Sequence, residues 1–334
     1  MANTRNSNLE LLRIVAMAFI VVWHISIHAQ KGEAITHDFI ASIAITGVNL
    51  FVLISGYFGI KLKWKSLLNI LSCAIFYYSI TLLCNYIFFD PTLNLGKEIE
   101  CIFTPISNYK TYWFVSTYIM LMLLSPAINT ILNKMNKQQY IFFIGVMFYI
   151  CCITGFVFKH SININGYNLF NFIFIYSVGH LLRKYDIPHK YCARFLVLIY
   201  ISATIIIFIG SYLNIGRTLN YNNPIIVISA IAFFCLFARQ NFNNCHINTI
   251  AKNMFPVYLV QESPLGVEIY RLLYTFGKET NFQGAGYFII LALYITILFI
   301  SAFIFEKIRL LILKKPLEHL SKYLTDKYTF LEEL

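Results

Sequence analysis

The sequence predicts an all-α integral membrane protein with about ten transmembrane helices. Hydrophobic residues make up 58% of the 334 residues and charged residues only 12%, which is too apolar for the surface of a soluble protein. The charges fall in short clusters between apolar runs of about 17 to 25 residues, the length that a helix needs to cross a bilayer. These runs lack the alternation of an outer-membrane barrel, so helices are the expected spanning structure.

The lengths of the apolar runs and the charged residues between them predict where each span begins and ends. No stretch outside them is long enough for a separate folded domain, so we expect one transmembrane domain over residues 1–334. The longest external connection is expected at about 90–111. The domain should end in a short cytoplasmic tail at 313–334, with an amphipathic helix after Pro316. The ten predicted spans are about 9–30, 39–60, 66–89, 112–132, 140–158, 168–183, 194–213, 223–239, 249–275 and 285–312.

The distribution of basic residues predicts the orientation of the chain. Of the 26 Lys and Arg residues, 18 fall in the termini and alternate loops on one side, six fall on the other side, and two lie within spans. Because basic residues are enriched on the cytoplasmic side, both termini are predicted to be cytoplasmic. We then expect the net charge of +11 to interact with the membrane lipid of the inner leaflet. Nucleic acid is not the expected partner, because the sequence has no motif that binds it.

The first span, NLELLRIVAMAFIVVWHISIHAQ, carries Arg13 and His24 inside its apolar run. Eleven helical steps place them on nearly the same face, about 16 Å apart. Arg13 alone is explained by snorkelling or by pairing with Glu10, and His24 alone by a satisfied histidine near the interface. Their common face favours a site, because a guanidinium can hold a phosphate-bearing donor and an imidazole can deprotonate a hydroxyl or accept an acyl group.

The second and fourth spans each offer weaker candidates. Ser55 and Tyr57 lie in the FVLISGYF stretch that ends the second span, where small residues also permit close helix packing. Three lysines follow, which act as a topology signal or meet an anionic cytoplasmic cofactor: Lys61, Lys63 and Lys65. The fourth span opens with Tyr112, Trp113 and Phe114, an aromatic cluster that is also typical of an interfacial belt, and Pro126 is expected near the end of that span.

The ninth span is predicted to be a broken helix that faces the protein interior. Pro256 and Pro264 lie eight residues apart, with Gln261 and Glu262 between them, and such a run is a poor lipid-facing helix. Farther along, Glu268 and Arg271 are spaced to neutralise each other. Glu262 has no such local partner, so we expect it to orient either His24 or substrate hydroxyls.

Four stretches resemble the type 3 family of membrane acyltransferases. Arg13 followed by His24 after ten intervening residues resembles the basic-X10-His signature of the first span in that family. GVNLFVLISGYF (47–58) is similar to its SGY/SGF element, TYWFVSTYIMLMLLSP (111–126) to its WF-rich span, and NMFPVYLVQESP (253–264) to its YLIH-like element. The chain departs from many members in having Gln261 where they have His, so a second catalytic imidazole is not expected there.

The resemblance implies transfer of an acyl group, most often acetyl, from acetyl-CoA or another acyl-CoA to hydroxyls of cell-envelope glycans or lipid-linked sugars. It carries Arg13 and His24 over as the catalytic pair, with Arg13 and the three lysines expected to bind the donor. The other candidates are expected to support the substrate: Ser55, Tyr57, Trp113, Tyr258, Gln261 and Glu262. We expect no tightly bound cofactor and no metal, because the eight histidines do not cluster with carboxylates.

Two other functions fit part of the pattern. An exporter of a polysaccharide or lipid-linked sugar would also use interrupted helices with charges at midmembrane, although no inverted repeat is detectable. A scaffold for a synthesis complex would leave Arg13 and His24 unexplained. The oligomeric state, the acceptor sugar and the exact acyl group cannot be derived from the sequence.

Overall fold

A computed structural model describes residues 6–28, 34–92, 94, 96, 109–159, 163, 165–279 and 285–328. Every regular element within these ranges is helical, as the sequence predicts. The helices are α1 (Ser7–His28), α2 (Ala34–Ala44), α3 (Gly47–Phe58), α4 (Trp64–Phe88), α5 (Tyr109–Lys134), α6 (Lys137–Phe148), α7 (Leu169–Lys184), α8 (Ile187–Lys190), α9 (Ala193–Tyr212), α10 (Pro224–Ala238), α11 (Cys245–Ala251), α12 (Met254–Gln261), α13 (Pro264–Glu279) and α14 (Ala285–Lys327). A π-helical segment, Tyr149–Val157, follows α6.

The lengths and composition of these helices support a multi-pass membrane protein. Each of the ten predicted spans coincides with a helix or with adjacent helices. Among the described residues, however, seven segments are both long and apolar enough to cross a bilayer, so the count of ten is not confirmed. The sixth and eighth predicted spans form helices of only 16 and 15 residues, and the ninth is interrupted. The seven are 7–27, 35–58, 64–88, 112–134, 137–157, 193–212 and 291–327.

Several predicted boundaries differ from the structure. The second span bends at Ile45–Thr46, where Gly47 lets the chain approach the backbone of α1 at Ala16. Pro126 does not mark the end of the fourth span but lies inside α5, which continues for eight more residues. The connection predicted at 90–111 and the end of the tail lie largely outside the described residues.

The chain divides into two compact units. The first unit comprises residues 1–23, 32–60 and 120–252. Its closest helix pair is α3 with α7, where Gly56 faces the backbone of Tyr176 and Gly179 faces the backbone of Leu53. A methyl group at either glycine would overlap the opposite backbone. Gly56, a small residue in the FVLISGYF stretch, therefore has a packing role.

The second unit comprises residues 24–31, 61–119 and 253–334. In it, α4 packs against α12, α13 and α14. A buried ionic network joins α4 to α14: the Arg309 guanidinium binds both carboxylate oxygens of Glu306, at 2.7 and 2.8 Å, and also donates to Ser72 and Asn69. Tyr77 donates a further hydrogen bond to Glu306. Arg309 is one of the 18 basic residues that were counted on the predicted cytoplasmic side. Because it is only 1% exposed, it is a buried structural cation rather than a surface charge.

We expect Arg309→Met to lower the free energy of unfolding by about 3 kcal/mol, because it leaves the Glu306 carboxylate buried without its cation. The measurement is denaturant unfolding of the purified protein in detergent. Lys307→Met, at an exposed position on the same helix, is the control and should change little. The double variant Arg309→Met/Glu306→Gln should recover more than half of the lost free energy of unfolding. If Lys307→Met and Arg309→Met destabilise the protein equally, the structural role of Arg309 is contradicted.

Candidate active site

The interruption of the ninth predicted span places Glu262 at a junction between helices. Pro256 lies in the first turn of α12, where a missing N–H is tolerated, and α12 ends at Gln261. Pro264 opens α13, and the hydroxyl of Ser263 accepts a hydrogen bond from the N–H of Gly266 at 3.2 Å. Ser263 and Pro264 therefore begin the next helix directly after α12 ends, and Glu262 lies in the short connection. The broken helix predicted from the sequence is confirmed.

His24, near the end of α1, meets Glu262 inside the second unit. Its Nε2 lies 2.8 Å from Oε1 of the carboxylate, and the two side chains are 11% and 17% exposed. When Nε2–H donates to the carboxylate, the lone pair of the neutral ring resides on Nδ1. The carboxylate also stabilises the positive charge that the ring acquires when it takes up a proton. The contact thus gives the imidazole a defined orientation and a defined basic atom.

Aromatic rings form the wall beside this pair. The hydroxyl of Tyr112 donates to the carbonyl of Leu259 at 3.0 Å, and its ring meets those of Tyr78 and Tyr258 at centroid distances of 5.7 and 6.3 Å. Tyr112 also lies within electrostatic range of the Glu262 carboxylate. Because all three tyrosines are less than 5% exposed, the pair lies against a low-dielectric surface, where charge interactions are stronger than in water.

Gln261 is buried in the same unit. It is 1% exposed, and its Oε1 lies 3.5 Å from the hydroxyl of Tyr270, whose ring packs on Tyr294 at 4.9 Å. Its Nε2 has no hydrogen-bond partner among the residues that the structure describes. Trp113 lies one residue beyond Tyr112 and contacts the ring of Phe114, which in turn packs on Tyr258. The second unit therefore brings His24, Tyr258, Gln261 and Glu262 into one region. Trp113 lies next to this region and follows Tyr112 in the chain.

Three of the remaining candidates, Arg13, Ser55 and Tyr57, lie in the first unit. Arg13 donates to the Glu10 carboxylate at 2.7 Å, as its spacing predicts, and keeps 28% of its side-chain surface exposed. The hydroxyl of Ser55 hydrogen-bonds to the carbonyl of Phe51 one turn earlier. The ring of Tyr57 packs against Phe234 at 5.3 Å.

Basic residues and potential metal ligands were also predicted from the sequence. Lys61, Lys63 and Lys65 are all exposed and surround the start of α4 in the second unit. In the described part of the chain, no three His, Cys, Asp or Glu side chains come close enough together to hold a metal ion.

A comparison with known protein families shows to which family the chain belongs. A family model described as an acyltransferase domain matches residues 6–321, which is nearly the entire chain. The chain belongs to the acyltransferase 3 family. This match supports an acyltransferase role and agrees with the resemblance found in the four sequence stretches. No curated protein and no solved structure gives a match to this acyltransferase 3 chain.

Some residues around the pair were not predicted as part of the site. Tyr78 and Tyr294 lie within long apolar helices and Tyr270 lies on the buried side of the shorter helix α13, where a tyrosine has the same pattern as any other core aromatic residue. Tyr112 stands directly before the predicted Trp113 but was assigned only to an aromatic belt. A backbone break at Tyr112, with φ −125° and ψ 52°, interrupts α5 at this residue, and no local sequence signal marks it.

We expect Glu262→Gln to lower the rate of acyl transfer about 10²- to 10⁴-fold while the protein remains folded. The amide keeps the shape of the carboxylate but does not stabilise a protonated His24 or select its tautomer. The measurement is kcat with acetyl-CoA in nanodiscs. Glu268→Gln is a closely matched control, since Glu268 is 18% exposed and pairs with Arg271 at 3.1 Å. Activity of Glu262→Gln close to that of the control would show that the contact has no role in the reaction.

Proposed function

We propose that this acyltransferase moves an acyl group, most simply acetyl, from acyl-CoA to a hydroxyl of a cell-envelope sugar. The observation that carries the proposal is the buried contact between His24 and Glu262 in a chain that belongs to an acyltransferase family. A histidine held by a carboxylate is the arrangement that acyl transfer uses to move a proton or to carry an acyl group.

The geometry of the second unit supports a long, anionic donor. Helix α4 runs from the three exposed lysines to Tyr78, which packs on Tyr112 beside Glu262. Fourteen residues separate Trp64 from Tyr78, a distance of about 21 Å along the helix. In our proposal the lysines bind the phosphates of CoA, and its flexible pantetheine arm carries the thioester along α4 toward His24.

The imidazole can act in two ways from this position. In direct transfer, Nδ1 takes the proton of the sugar hydroxyl as its oxygen attacks the thioester carbonyl, the carbon–sulfur bond breaks, and the leaving thiolate receives that proton. In a relay, Nδ1 itself attacks the thioester carbonyl, the carbon–sulfur bond breaks, and the leaving thiolate receives the Nε2 proton through Glu262, which leaves a neutral acyl-imidazole. The sugar oxygen then attacks the acyl carbon, the carbon–nitrogen bond breaks, and the hydroxyl proton returns to the ring at Nε2 through Glu262. Glu262 stabilises the imidazolium in both routes. Rapid quenching followed by peptide mass spectrometry separates the routes, because only the relay leaves an acyl group on His24.

The remaining parts of the proposal concern the membrane and the acceptor. Arg13, whose side chain is 28% exposed and pairs with Glu10, is assigned to the anionic donor. Ser55 and Tyr57 stay with the proposed substrate-supporting residues, as does Trp113. We place both termini in the cytoplasm of a cell with the chain in its inner membrane, where cytoplasmic acyl-CoA and lipid-linked or envelope glycans meet. An exporter function receives no support from the family match.

The direct test is incubation of the purified protein in nanodiscs with radiolabelled acetyl-CoA. We expect His24→Ala to reduce release or transfer of the label at least about 10²-fold, since the variant lacks the proton acceptor and nucleophile. Arg13→Ala should mainly raise KM for the donor. His246→Ala, which removes an exposed histidine, should behave as wild type.

The controls for this test are size-exclusion profiles of each variant, which must match that of wild type. A folded wild-type protein that neither binds nor hydrolyses acetyl-CoA would contradict the assignment of the donor. Full activity of His24→Ala would contradict the assignment of the catalytic group.

A further inference from the structure

The last helix, α14, is too long to lie entirely within a bilayer. Its 43 residues extend about 64 Å, whereas the hydrocarbon core is about 30 Å thick. Its register against α4 is fixed in two places: the Tyr77 hydroxyl bonds to the carbonyl of Ala302, and the Arg309 guanidinium bonds to Asn69. The two helices therefore run in opposite directions, and α14 continues past the beginning of α4.

The end of α14 returns to the start of α4. The indole N–H of Trp64 donates to the carbonyl of Tyr328 at 3.4 Å, and the two rings lie 6.2 Å apart. In the register set by Arg309 and Asn69, Trp64 is level with a residue near 314. A straight helix would carry Tyr328 about 21 Å beyond that level. Helix α14 must therefore bend, and Pro316, which removes a backbone hydrogen bond inside the helix, lies at the appropriate place.

We call residues 317–328 the C-terminal arm. The contact with Trp64 brings this arm to the lysine-rich start of α4. The ammonium of Lys327 lies over the rings of Tyr323 and Tyr328, at 5.6 and 5.4 Å from their centroids, and is thereby held next to the Trp64 contact. The two segments that meet at this contact carry four of the exposed lysines: Lys61, Lys63, Lys65 and Lys327. Glu318 and Asp326 are the acidic side chains on the arm, so the arm and the start of α4 together remain positive.

This surface combines several cations with exposed aromatic rings. Tyr323 and Tyr328 are 54% and 39% exposed, and Trp64 is partly exposed. Ammonium groups attract phosphate, and an aromatic face stacks with a purine base. A phosphorylated adenosine, such as the nucleotide end of CoA, presents both chemical features, whereas a lipid headgroup presents only the phosphate.

We propose that the C-terminal arm and the start of α4 together form the binding site for the nucleotide end of the acyl donor. The inference rests on the proposed function, which requires an acyl-CoA donor, and adds to it a second segment of the chain and an aromatic platform. The arm contributes the charge of Lys327, and Tyr328 with Trp64 holds the arm in place and offers the stacking surface. The role of the arm is thus to set the affinity for the donor, while His24 and Glu262 carry out the transfer.

The test measures binding of adenosine 3′,5′-bisphosphate to the full-length protein by calorimetry, in nanodiscs made of phosphatidylcholine alone. We expect the Kd to rise about tenfold in Lys327→Gln, which loses one charged contact, and about tenfold in Tyr328→Ala, which loses the stacking surface. Lys137→Gln and Tyr191→Ala, at exposed positions in the first unit, should bind as wild type. His24→Ala should also bind as wild type.

A parallel experiment with the same variants determines whether the phosphate belongs to a nucleotide or to a lipid. In nanodiscs that contain phosphatidylglycerol, native mass spectrometry counts the bound anionic lipids. If wild type binds no nucleotide, or if Tyr328→Ala and Lys327→Gln bind it as tightly as the controls, the inference is overturned. Loss of bound phosphatidylglycerol in these variants with unchanged nucleotide binding would likewise overturn it, and would assign the arm to the membrane surface.

The failure of the inference can be distinguished from failure of the proposed function. Nucleotide binding that depends on Lys327 and Tyr328, in a protein that transfers no acyl group, would leave the arm as a nucleotide site and reject the reaction. Acyl transfer that depends on His24 but has the same KM for acetyl-CoA in the arm variants would support the reaction and reject the role of the arm.

Discussion

The contact between His24 and Glu262 is the interaction on which the proposed chemistry depends. Burial of a carboxylate or an imidazole among apolar helices is unfavourable, because each loses its hydration. The charge-assisted hydrogen bond between the two groups offsets part of that free energy. The ninth predicted span has to break so that Glu262 can lie in a connection rather than on the face of a continuous helix. Ser263 and Pro264 make this break local, because they start α13 within three residues of the end of α12.

A second buried ionic contact in the same unit has a structural role. The Arg309 guanidinium is 1% exposed and donates to both oxygens of Glu306 and to two polar side chains on α4, so the protein itself satisfies it. Arg309 therefore fixes the register of α14 on α4, and that register in turn determines where the last helix must bend.

Much of this arrangement follows from patterns in the sequence, and the reasons are specific. The helices could be predicted because a bilayer demands long apolar runs, and the break in the ninth span because two prolines with polar residues between them cannot form a lipid-facing helix. His24 was a candidate because it is an ionisable group inside an apolar span on the same helical face as Arg13, and Glu262 because no basic residue lies near it in the sequence. The tyrosines around them could not be predicted, since Tyr78 and Tyr270 differ from other core aromatics only in which helices they face. The return of Tyr328 to Trp64 joins residues 264 positions apart, and no local pattern encodes such a contact.

The most direct test of the central claim is the protonation state of His24 itself. Solid-state ¹⁵N NMR of histidine-labelled protein in nanodiscs, with His24→Gln subtracted to isolate its signals, reports which ring nitrogen carries the proton. The account predicts a protonated Nε2, coupled to the Glu262 carboxylate, and an unprotonated Nδ1 in the neutral ring. A proton on Nδ1 with a bare Nε2 would contradict it, because the carboxylate would then not select the basic atom on which acyl transfer is proposed to depend.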